Sequence, residues 1–289
     1  MAELFHESRD VVSAAFSSSP YAWNPISQRS ARGGKNRRKS RFRKIPILNT
    51  LSPSVVVSGV SFLLSLYCLT QSFGVRTTLG VMFILTCHEF GHVAALKVFK
   101  VPALAPIFFP WVGAFIVMLE EIKNARIQAW IGISGPIAGI AATLGLHLLA
   151  SRLQSIVLFD VIIWGYGFHL FNLIPAGTLD GGHIAGFVGR WLWIPGAVIF
   201  AYNVFWTARL PWFAWISMGI VTITVVYQAI AVFLERSASK RPARSGDTPR
   251  AATLGMWLMW LGLLGICGCG LYVGKMQRSD LKGIASEVR

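Results

Sequence analysis

Apolar residues in this chain come in runs far longer than a soluble helix requires, separated by short polar or proline-bearing stretches. With about 20 apolar residues needed per membrane crossing, seven runs qualify: residues 53 to 73, 77 to 98, 127 to 150, 155 to 174, 192 to 208, 212 to 234 and 252 to 274. The pattern predicts an all-α fold, a polytopic integral membrane bundle of about seven transmembrane helices. After the second run, residues 101 to 119 are apolar but contain Pro102, Pro106, Pro110 and Gly113, which argues against one crossing helix and for a re-entrant loop or β-hairpin.

Composition points the same way: 54% of residues are hydrophobic and 13% charged, with a mean hydropathy of +0.57, values that exclude an ordinary soluble globule. The formal net charge of +15 is concentrated in two places, residues 29 to 44 and residues 236 to 250. Both are expected to flank spans on the cytoplasmic side, where anionic lipid headgroups and not nucleic acid are the partner. Residues 1 to 46 read as a basic, disordered cytoplasmic tail without a signal-peptide pattern. Residues 47 to 185 are then expected to form the membrane core, 186 to 275 further C-terminal spans, and 276 to 289 a short tail. A multi-pass protein of a prokaryotic inner membrane, N-terminus inside and C-terminus outside, is the expected setting. The four cysteines, Cys68, Cys87, Cys267 and Cys269, fit no metal or disulfide spacing and read as buried thiols.

Ionisable residues inside such runs are costly, about 2.5 to 3.5 kcal/mol each at mid-bilayer on insertion scales. Yet the second run contains His88-Glu89-Phe90-Gly91-His92. On a helix, His88 and His92 stand one turn apart on one face and can reach a single Zn²⁺, with Glu89 placed as general base towards water at the metal. A third ligand must come from the same depth. The fourth run ends in Asn172-Leu173-Ile174-Pro175-Ala176-Gly177-Thr178-Leu179-Asp180-Gly181-Gly182, where Pro175 and Gly177 interrupt the helix and irregular backbone can aim Asp180 at a polar cavity. Two histidines and a carboxylate leave a fourth zinc position open.

These two motifs together resemble the site-2 protease family of intramembrane zinc metalloproteases. HExxH is His88 to His92, and NxxPxxxLDG is Asn172 to Gly181, in the family's order with an apolar segment between them. The resemblance covers about residues 75 to 185. It implies one Zn²⁺ per chain on His88, His92 and Asp180, Glu89 as acid and base, and Asn172 in contact with substrate or the oxyanion. It implies a single-pass membrane protein as substrate, cleaved within or near its transmembrane segment, and an edge of the 101 to 119 segment able to pair with it. The chain would be a compact form, without the PDZ or nucleotide-sensing domain of some members. Gly139 is a departure, because many members carry Asn there. His169, one turn before Asn172, is either an alternative donor or a packed histidine, and stands outside the ligand set.

Three other functions compete. A non-catalytic membrane scaffold or chaperone with this fold is disfavoured because His88, Glu89, His92 and Asp180 are all present. A membrane iron enzyme such as a desaturase would need many histidines in repeated boxes, and the chain has six in all. A transporter would show an inverted repeat, which is not evident. Substrate identity and oligomeric state are open at this level.

Overall fold

The computed structural model describes residues 52 to 120, 122, 124 to 206, 219, 222 to 223, 225 to 227, 230 and 250 to 287. The tail at 1 to 46, nearly all of the expected span at 212 to 234 and the basic loop after it lie outside the described residues. The fold is mostly helical. Three helices are long and apolar enough to cross a membrane: α1 (Pro53–Val98), α2 (Ala125–Leu153) and the stretch Ala252–Glu287 of the last helix. Large apolar side chains such as Leu63, Leu148 and Leu258 stand exposed on them, as a lipid-facing surface requires and an aqueous one penalises.

α1 is two arms in one. Gly74 breaks it with φ 74° and ψ 159°, a backbone region that side chains resist and glycine tolerates. Phe62 on the first arm stacks edge-on against Phe108, and Leu85 on the second arm shares that apolar cluster. In a straight helix Phe62 and Leu85 would lie about 35 Å apart at 1.5 Å per residue. Both reach the same small sheet because the arms fold back on each other at Gly74. Expected runs 53 to 73 and 77 to 98 correspond to these arms.

The proline-bearing segment forms a hairpin, β1 (Ile107–Phe109) antiparallel to β2 (Gly113–Phe115), in the register Ile107 with Phe115. A further bridge joins Ala103 to Met118. Its Phe108 amide donates to Ser61 Oγ at 3.0 Å, which ties the hairpin to the first arm. α2 follows, capped by Asn124, whose side chain accepts from the Arg126 and Ile127 amides.

α3 (Ile156–Asn172) stops three residues short of Pro175, and residues 173 to 179 run as a tight non-helical loop with Gly177 at φ 56°. The loop ends in α4 (Asp180–Val188), a helix that the hydropathic pattern does not announce and that runs across position 185. A 3₁₀ turn (Arg190–Leu192) leads into α5 (Trp193–Trp206). α5 covers all of the crossing expected at 192 to 208 that lies within the described residues, apart from Leu192 in the 3₁₀ turn.

The last helix, α6 (Arg250–Glu287), runs on through residues 276 to 287. Two polar residues early in this stretch have partners on the bundle. Gln277 meets His147 Nε2 at 2.9 Å, and Arg278 pairs with Asp160. At the other end the Trp260 indole donates to the Leu173 carbonyl at 3.0 Å, so α6 runs antiparallel to α3 along its length. The thiols depart from expectation too. Cys267 is buried, Cys68 and Cys87 are half-buried, and Cys269 is exposed, a position that an apolar environment around the bundle accommodates.

Candidate metal centre

The second arm of α1 places His88 and His92 on one face, one turn apart, as the helical spacing requires. Asp180 reaches them as the first residue of α4, delivered by the loop after α3. The irregular backbone expected around Asp180 is thus the loop before it. Two indoles hold that delivery: Trp260 on the Leu173 carbonyl at its start, and Trp193, donating to the Gly182 carbonyl at 2.9 Å, just beyond its end.

The three side chains converge into a buried triangle. His88 Nε2 lies 3.1 Å from Asp180 Oδ2, His92 Nε2 lies 3.2 Å from Asp180 Oδ1, and the two Nε2 atoms are 3.1 Å apart. Zinc bonds of about 2.0 to 2.1 Å in tetrahedral geometry put ligand atoms about 3.3 Å apart. Each of these separations is close to that spacing, with each carboxylate oxygen facing one of the two histidines.

Hydrogen bonding shows why a cation belongs there. His92 Nδ1 donates to the Ile131 carbonyl at 2.8 Å, so a neutral His92 turns the lone pair of Nε2 towards the Asp180 carboxylate and His88. Acceptors facing one another without water repel. Protons on the ring nitrogens relieve part of this by donating to the carboxylate, whereas one metal ion accepts from both imidazoles and the carboxylate together. The backbone carbonyl on Nδ1 is also the usual support of a metal-binding histidine, because it selects the tautomer and fixes the ring plane. His88, His92 and Asp180 can thus hold a metal ion.

α2 makes the convergence sterically feasible. A Cβ at Gly91 would overlap the Ser134 carbonyl oxygen, so the absence of a side chain there lets the motif arm lie directly on α2. A Cβ at Gly135 would overlap His92 Nε2 itself. Gly135→Ala is therefore expected to weaken metal binding about tenfold or more, although alanine favours a helix over glycine by about 1 kcal/mol. A metal titration beside a thermal melt checks this: the reading fails if Gly135→Ala binds metal as the parent does.

Glu89 is 4% exposed and lies within electrostatic reach of His88, His92 and Asp180. Asn172 stands differently from the others. Its amide donates back to the Phe168 carbonyl of its own helix at 3.1 Å. The space that an Asn at position 139 would need holds an imidazole, since a Cβ at Gly139 would overlap His169 Cε1. His169 is fully buried, a packed histidine as far as its surroundings go.

Sequence reasoning missed the Ile131 carbonyl and the two indoles. A backbone carbonyl has no signature in the residue string, and Trp193 reads equally well as an interfacial aromatic. Glycine spacing on α2 was the available signal, but only the assembled bundle pairs Gly135 with His92. No protein-family model matches the chain, and no curated protein matches it.

Proposed function

We propose that the chain is an intramembrane zinc metalloprotease that hydrolyses a peptide bond within or near the membrane-spanning segment of a single-pass protein. The observation that carries this reading is the buried triangle of His88, His92 and Asp180, with the carboxylate of Glu89 beside it. Resemblance of the HExxH and NxxPxxxLDG motifs to the site-2 protease family supports it. So do the three membrane-length helices around the cluster. The proposed setting is a multi-pass protein, N-terminus in the cytoplasm, with both arms of α1 and the apolar helix α3 crossing as well.

His88, His92 and Asp180 would hold the Zn²⁺, which would supply polarisation of the scissile carbonyl and activation of water. Glu89 takes the water proton and returns one to the leaving amine. Burial around Glu89 raises the strength of every charge interaction there. Asn172 is the candidate donor to the developing oxyanion once its amide leaves the Phe168 carbonyl. The substrate must unwind, because a helix hides its carbonyls in internal hydrogen bonds, so helix-breaking residues are expected near the cut.

The test is cleavage in proteoliposomes of single-pass membrane proteins carrying Gly or Pro within their spans, with products mapped by mass spectrometry. Cleavage inside or beside the span that stops on chelation and returns with zinc supports the proposal. Metal-replete, folded protein that leaves every such span intact, or cuts equally well in chelator, sinks it.

A further inference from the structure

His88 and His92 are held in different ways. His92 has the Ile131 carbonyl on Nδ1, whereas Nδ1 of His88 is buried and without a hydrogen-bond partner among the described residues. A metal-binding imidazole left to rotate would lose affinity, so something else must fix the His88 plane. Three rings surround it. His92 and Phe168 meet it edge-on, at 4.8 and 5.2 Å between centroids. His169 alone lies nearly parallel to it, at 5.3 Å and 18°.

His169 is itself fixed. The Thr143 hydroxyl donates to the Gly139 carbonyl at 2.8 Å, so its oxygen is left to accept from His169 Nε2–H at 3.4 Å. That contact, together with the Gly139 backbone, which hydrogen-bonds the same ring, anchors His169 to α2 while its face lies along His88. Its Nδ1, buried and unpartnered among the described residues, is not one of the three converging ligand atoms. Room for this arrangement comes from Gly139, where a Cβ would overlap the His169 ring and lie 3.0 Å from His88 Cβ.

We infer that His169 is a positioning residue of the metal centre, an imidazole stacked on His88 and tethered through Thr143, which fixes the ring plane of His88 as the Ile131 carbonyl fixes that of His92. This rests on reading the triangle as a metal site. The conclusion adds a residue from α3 and one from α2 to the support of a ligand on α1. It also gives Gly139 a purpose, since any side chain there would push the stacked pair apart.

The experiment is a zinc competition titration of the detergent-purified full chain, with the visible absorption of the Co²⁺-substituted protein as a second readout. His169→Ala is expected to weaken zinc binding about tenfold to a hundredfold and to shift the Co²⁺ bands. His169→Phe keeps a flat ring but not the Thr143 bond, and should fall between parent and alanine variant. Thr143→Val should match the phenylalanine variant. If His169→Ala does not fold, the other two decide by the same readouts. A parent that binds zinc, with the folded variants within twofold of it and with superimposable Co²⁺ spectra, overturns the role of His169 alone. A folded parent that takes up no metal overturns the metal-site reading together with this inference.

Discussion

Glu89→Gln is expected to keep the metal and lose about a hundredfold to ten-thousandfold in peptide hydrolysis, the usual contribution of a positioned general base. Glutamine matches the volume and keeps the hydrogen-bonding oxygen, so the 4% exposed site suffers no cavity. What disappears is a carboxylate able to take a proton. Because Glu89 is not one of the three converging ligands, zinc per chain should equal that of the parent. Turnover by this variant at the parent's rate would remove Glu89 from the mechanism, and loss of zinc would place it among the ligands instead. A variant that binds but does not cut is also the natural trap for the unknown substrate.

The second large effect concerns the metal. Elemental analysis of the purified chain should give about one zinc, and His88→Ala combined with His92→Ala should give none. Both histidines lie within 3.2 Å of the Asp180 carboxylate and 3.1 Å from each other, and one carboxylate alone cannot hold zinc against water at neutral pH. Their removal also ends the confrontation of acceptors around Asp180. The double variant should therefore fold without metal, and equal yield and helicity would show that it does. Zinc retained in that variant would move the site elsewhere, and a zinc-free, folded parent would favour a scaffold.

Fold and site were legible to different depths. Local geometry is periodic, so the run 77 to 98 could be read as a helix, and with it the placement of His88 and His92 on one face. The same holds for the break after residue 73, the hairpin among prolines at 102 to 110, and the end of α3 before Pro175: each follows from what Gly and Pro do to the backbone next to them. The length of α6 was not legible. Hydropathy falls after residue 274, whereas the helix runs on, with Gln277 and Arg278 in polar contact with distant parts of the chain. α4 was hidden for a similar reason, being nine residues long and without a run of its own.

By itself, the sequence determined the chemistry on offer: an apolar chain, two imidazoles one turn apart, a carboxylate beside them, and an aspartate after a helix-breaking loop. Whether Asp180 met the histidines was decided by tertiary structure alone, since it depends on α2 lying against both α1 and α4 through positions where a Cβ would collide. The tautomer of His92 was decided there too, by a backbone carbonyl, and so was the partner of His88, a ring on another helix. Patterns along a chain record what each segment can do. Distances of 3.1 Å between atoms far apart in sequence exist only once packing, in which a single methyl group decides, has brought the helices together.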